Sequence, residues 1–276
     1  MAARAAARVA QRTAHKATIR ALLSSCGSPV LMAAPMVNAS EQAFRLLARR
    51  HGAHVCFTPM LHSRLMVESE GYRRNAMADV LGDGTDAPLI VQFCGNDPDT
   101  LLSAGRFVEK HCVAVDINLG CPQGIARKGR YGAFLLTETS LLEDIVLNLS
   151  GNLAVPVTCK IRLLNTLDAT IDLAQRLERA GCAMLTVHGR TKEEMKVCMT
   201  EYFTNLSCHS LLLGCMTKYF TMILNIRTNY RTASASLTGK RSARSAPPSR
   251  SPSSPTAASR RTTISLAASL KLASLA

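Results

Sequence analysis

Between residues 30 and 191, short apolar runs that end in polar side chains alternate with segments of helical pattern, and this alternation restricts the chain more than any other feature. The runs are Val30–Met36, Val55–Met60, Leu89–Gly95, the stretch from Val113 to Cys121, Val155–Arg162 and Met184–Thr191. A first helical pattern opens at Asn38–Glu41, with Ser40 in the N-cap position, and leaves at Gly52. Others run from Pro98 to His111 behind an Asp97 cap, from Leu141 to Leu149, and from Leu167 to Ala180 with Gly181 as the stop. Strands separated by helices pair in parallel. Gln92, Asn118, Cys121, Lys160, Arg162, His188 and Arg190 all fall at strand ends. The pattern predicts an α/β chain, a TIM-type (β/α) barrel portion of about six βα units, with a site on its C-terminal rim.

The sharpest of these strand ends is Asp116-Ile117-Asn118-Leu119-Gly120-Cys121-Pro122-Gln123. It sets a thiol at a strand exit, an amide three residues before it, and a glycine-rich basic loop, Gly124 to Gly132, behind it. That loop carries Arg127, Lys128 and Arg130, side chains suited to phosphate. A lone cysteine is ordinarily a small buried filler; its setting among six polar strand ends argues for chemistry here.

Charge bears on which partners fit. The chain of 276 residues has a net charge of +14, but residues 1–40 contribute +5, residues 202–276 contribute +10, and 41–201 carry −1. The basic character therefore belongs to the two ends and not to the folded centre. The ten cysteines form no CxxC pair and no Cys/His ligand spacing, so neither a zinc site nor a disulfide framework is expected, and reduced intracellular thiols are. No apolar stretch is long enough to cross a bilayer, since Lys218 breaks the best candidate. Residues 1–26 place Arg4, Arg8, Arg12, Lys16 and Arg20 at four-residue intervals without an acid, as a mitochondrial or plastid transit peptide does, and as an ordinary solvated helix also does. The location expected is the cytoplasm, or one of those organelles if the stretch is a leader. Residues 197–230 are apolar without a clear period, and 231–276 are rich in Ser, Arg and Pro, a composition that predicts disorder.

Taken together, Ala34-Pro35-Met36-Val37, Phe57-Thr58-Pro59-Met60, Val91-Gln92-Phe93, Asn118-Leu119-Gly120-Cys121-Pro122-Gln123, Cys159-Lys160-Ile161-Arg162 and Val187-His188-Gly189-Arg190-Thr191 resemble the tRNA-dihydrouridine synthases, most of all the (16/17) branch, in order and spacing from about residue 27 to about 194. The resemblance implies a flavin barrel over 27–196 that binds FMN, takes electrons from NADPH or NADH, and reduces a uridine of tRNA to 5,6-dihydrouridine. It implies hydride delivery to C6 and a proton from Cys121 to C5. Pro35, Met36 and Val37 would lie against the flavin, and Gln92, Lys160 and His188 would hydrogen-bond it. Asn118 and Arg162 would face flavin or substrate, with Arg127, Lys128, Arg130 and Arg190 toward RNA. A thiol of ordinary pKa, about 8.5, is protonated at neutral pH and suits the acid's part. Lys160 and His188 would supply positive charge or donors beside the reduced ring. No metal, membrane or protein partner is implied.

The family pattern then calls for two more strands, whose Asn-Gly and Gly turns grip the FMN phosphate, and for a helical C-terminal domain; residues 195–276 match neither. The sequence looks truncated, spliced or out of frame from there, and weak FMN retention is expected. Two other readings fit the residues: a flavin barrel acting on free pyrimidines, and an inactive fragment that binds RNA through its basic ends.

Overall fold

A computed structural model describes residues 2–194 and 221–224. The expectations for 197–230, apart from one short strand, and for the disordered tail at 231–276 lie outside the described residues. The described residues fall within one compact unit.

Its elements begin with α1 (Ala2–Ser25), β1 (Met32–Ala33), α2 (Gln42–Arg50), β2 (Val55–Phe57), β3 (Leu61–His62), α3 (Ser63–Glu68) and α4 (Glu70–Leu81). There follow β4 (Leu89–Cys94), α5 (Pro98–Val108), β5 (Ala114–Leu119), α6 (Gly124–Lys128), a 3₁₀ turn at Gly132–Leu135, α7 (Thr139–Ser150), β6 (Val157–Arg162), α8 (Leu167–Ala180), β7 (Met184–His188) and β8 (Thr221–Leu224). The sheet order is β1-β2-β4-β5-β6-β7-β8, with β3 beside β4. Every described pairing is parallel except that of β8, which runs antiparallel to β7. The six predicted strands are thus β1, β2, β4, β5, β6 and β7, in the order of an open (β/α) barrel.

Local chemistry explains where the elements stop. Asp97 caps α5 by accepting the Thr100 N–H at 2.7 Å, and Thr166 caps α8 by accepting that of Ala169 at 3.1 Å. Gly181 ends α8 with φ +114°, a left-handed conformation costly to any residue with a Cβ. Ser40 does not cap α2: its hydroxyl is turned back onto the Met36 N–H and C=O, and Glu41 takes the cap position. The α2 backbone is supplied instead by Asp79, which accepts the Gln42 N–H at 2.8 Å. Arg45, wholly buried, joins Asp79 at 2.8 Å and Asp86 at 2.5 Å, tying α2 to α4 and to the turn before β4.

The N-terminal stretch forms α1 and packs on the body of the barrel. Ile19 is 2% exposed and clusters with Val55, Phe57, Ile90, Ala114 and Met184, while Leu22, Leu23 and Cys26 pack alongside. That is an i, i+3, i+4, i+7 stripe laid against the N-terminal ends of the strands. Three basic residues of the same helix face the carboxyl ends of two others. Lys16 pairs with Glu178 at 3.0 Å, Arg12 lies against Gly181 at the end of α8, and Arg8 against Gly151 at the end of α7. Positive charge there meets the negative ends of two helix dipoles. No described helix is long and apolar enough to cross a membrane.

Candidate active site

Strand alternation sends every second residue to the same face of the sheet, so residues in register form layers. One such face begins at the floor with Ile90 beside Ala114, part of the apolar cluster around Ile19. Above it stand Gln92, Asp116 and Thr158 in register, then Asn118, Lys160 and Thr186, then Arg162 and His188. Polarity rises strand by strand toward the C-terminal rim.

The middle layer is a closed hydrogen-bond chain. Thr158 Oγ1 donates to Asp116 Oδ1 at 2.5 Å, and Gln92 Nε2 donates to Asp116 Oδ2 at 2.7 Å. Asn118 Nδ2 donates to Gln92 Oε1 at 2.8 Å, and Asn118 Oδ1 accepts the N–H groups of Gly120 at 3.1 Å and Cys121 at 2.9 Å. The Cys121 carbonyl accepts the Ala133 N–H at 3.0 Å. Gly132 must be glycine here: its φ is +66°, and a Cβ would come within 2.7 Å of the Cys121 oxygen. Arg162, 8% exposed, donates from Nε to Gly120 O at 2.6 Å and from a terminal nitrogen to Thr191 O at 3.0 Å. The cysteine, half-buried at the rim, is therefore held at both of its backbone groups.

Electrostatics divide the rim. Burial pushes Asp116 up to about 6 against the pull of Gln92, Thr158 and Lys160. Burial brings Lys160 down to about 8, with Asp116 opposing and Arg162 assisting. His188 falls to about 3 through burial and the nearby cations Lys160, Arg162 and Arg190. Its imidazole is neutral at physiological pH, so of the positive charge or donors expected of Lys160 and His188, the charge resides in Lys160 and the neighbouring arginines. Among the described residues Lys160 has no ion-pair partner, and the buried Arg190 Nε and Thr186 Oγ1 have no protein hydrogen-bond partner.

Of the residues singled out in the sequence, Gln92, Asn118, Cys121, Lys160, Arg162, His188 and Arg190 come together over β4–β7. Pro35, Met36 and Val37 leave β1 at the same end of the sheet, with Val37 exposed. Arg127 and Lys128 are exposed on α6, which replaces the expected open loop, and Arg130 follows at φ +51° paired with Glu138. Gln92 is fully buried with both amide ends engaged, and the oxygen and amide nitrogen of Asn118 are engaged as well.

The sequence did not single out Asp116 or Thr158 as functional, although each lies two residues before a chosen neighbour and hence on its face. Nor did it mark the group behind Cys121. There Tyr131 lies near the buried Cys94, which burial raises to about 12, and stacks edge-on to His62 at 5.4 Å. Tyr72 accepts the His62 N–H at 2.9 Å. Among the described residues no three His, Cys, Asp or Glu side chains are grouped to hold a metal ion.

A parallel open barrel whose strand exits gather a pinned thiol, a lysine, a histidine and arginines defines the class: the site-bearing part of a TIM-type barrel. A family model described as Dihydrouridine synthase (Dus) matches residues 32–206, and the chain belongs to that family. It is 54% identical over 162 residues to the tRNA-dihydrouridine(16/17) synthase [NAD(P)(+)]-like protein of Rattus norvegicus, covering 58% of this chain and 36% of that protein. To the tRNA-dihydrouridine(16/17) synthase [NAD(P)(+)] of Saccharomyces cerevisiae it is 48% identical over 180 residues, covering 65% and 43%. A human tRNA-dihydrouridine(20a/20b) synthase [NAD(P)+]-like protein is 40% identical over 171 residues, covering 61% and 53%. The chain thus spans less than half the length of the (16/17) relatives it matches.

Proposed function

We propose that this chain carries the chemical end of a tRNA-dihydrouridine synthase, reducing uridine to 5,6-dihydrouridine in tRNA with bound FMN and with NADPH or NADH as reductant. The observation that carries the reading is Cys121, held at both backbone groups near a neutral His188 and near Lys160, which has no ion-pair partner among the described residues. The residues suit a flavin: Lys160 and the unsatisfied Arg190 Nε are donors for an anionic, acceptor-rich group, and His188 offers one donor and one acceptor. Pro35, Met36 and Val37 would form its apolar side, with 27–196 as the cofactor-binding part. Bound FMN, reduced by the nicotinamide, supplies the hydride that adds at uridine C6.

The chain's own groups do the rest. Hydride addition leaves negative charge at C5 and its adjoining carbonyl, and the Cys121 thiol gives its proton to C5. The thiolate left behind regains its proton from solvent. Asn118 and Arg162 hold the loop that carries the thiol. Arg127, Lys128 and Arg130 lie outward, where they would meet tRNA phosphates. The target base must leave its stack, at a cost of about a few kcal/mol, to reach this rim.

The test is to purify the full chain, add FMN, measure bound flavin by absorbance, and assay dihydrouridine in tRNA. Cys121→Ala is expected to keep flavin and lose about 10²- to 10⁴-fold in rate. Equal rates would remove Cys121 as the acid, no flavin binding would remove the reading, and reduction of free uracil alone would replace the substrate.

A further inference from the structure

The chain of hydrogen bonds from Asp116 to the Cys121 loop has a direction, and its two ends agree on it. Gln92 and Asn118 are amides, each with a donor end and an acceptor end, and each could sit either way round. Backbone N–H groups at the far end donate only. At the near end stands a carboxylate, which above about pH 6 has no proton to give. It therefore takes the NH₂ of Gln92, which leaves the Gln92 oxygen toward Asn118; that oxygen takes the NH₂ of Asn118, which leaves the Asn118 oxygen toward the loop. Reversal of Asn118 would set its NH₂ against the N–H groups of Gly120 and Cys121, and reversal of Gln92 would set its oxygen against the Asp116 carboxylate and its NH₂ against that of Asn118. Gln92 is wholly buried, so no water supplies the missing partner.

We propose that Asp116 is a positioning residue: through Gln92 and Asn118 it supplies the terminal acceptor of the relay that holds the Cys121 loop in place. It touches no reacting atom. Its importance for reduction rests on Cys121 being the acid, but its effect on the loop does not.

Amide hydrogen exchange of the full chain at about pH 7.5, without FMN or RNA, reads the relay directly. Asp116→Leu removes the acceptor and is expected to speed exchange at Gly120 and Cys121 by about tenfold or more. Asp116→Asn can still turn its oxygen to Gln92 and its NH₂ to the Thr158 hydroxyl, and is expected to return both amides to within about threefold of the parent. Gln92→Met keeps the carboxylate and cuts the relay, so it should speed the same two amides, and combining it with Asp116→Leu should add little. If Asp116→Leu does not fold, Gln92→Met and Asp116→Asn still give the contrast. Unchanged exchange at the two amides, equal acceleration across β4–β7, or additive effects would each overturn the proposal. Failure of the parent chain to reduce uridine would remove the proposed activity and leave the exchange pattern standing.

Discussion

The two ends of the barrel interior are built from the same strands and differ in almost everything else. At the floor, Val55, Phe57, Ile90, Ala114 and Met184 close around Ile19, an arrangement whose energy comes from removing hydrocarbon from water. Two and four residues further along β5 and β7, and on β6 between them, Asp116, Asn118, Lys160, Arg162 and His188 occupy the same face, and burial there raises an acid and lowers a base. One end provides stability and the other spends some of it on charge held out of water. The difference teaches that a strand read as a single apolar unit hides a gradient along its length.

Substitutions at the two ends should therefore separate stability from binding. Ile19→Ala is expected to cost about 2–5 kcal/mol by urea denaturation and to leave FMN affinity per folded molecule unchanged; parallel loss of both would break the comparison. Lys160→Met should lower FMN affinity by about 10- to 100-fold in a fluorescence titration while leaving the fold intact. A smaller effect comes with pH. Lys160, at about 8, is charged below that value, so FMN binding should weaken as pH rises from 7 to 9.5, whereas His188, neutral above about 3, adds no change between 5 and 8.

Stability without FMN runs the other way. The unfolded chain, with Lys160 near 10.5, binds more protons between about 8 and 10.5, so that residue makes stability rise with pH across this window. Lys160→Met should flatten the rise in thermal melts. The smallest change expected is Lys16→Ala, about 0–1 kcal/mol, since its pair with Glu178 is partly exposed.

How much of this was legible depends on whether the signal was local. Helix α8 runs from Leu167 to Ala180 as its pattern said, because Thr166 and Gly181 are chemical stops written in the sequence. Strand β1 is two residues long where seven were expected, since the apolar run includes Pro35, which cannot donate to a ladder. Helix α4 was missed because its face is mostly polar and buries only Ala76 and Val80. The motif residues of the rim were found, yet Asp116 was passed over: a lone acid inside an apolar strand announces itself only when its partners on β4 and β6 are seen. The basic spacing of α1 was plain too, but the groups it answers, the ends of α7 and α8, lie more than a hundred residues away.

That separation governs the order of events as the chain is made. Synthesis delivers α1 before the strands it packs on, and Met184, which completes the ring of contacts around Ile19, comes 165 residues after it. Until β7 is laid beside β6, the apolar stripe of α1 has only part of its seat, and long-range closure of this kind is slow. A helix made long before its seat is among the last elements to be locked.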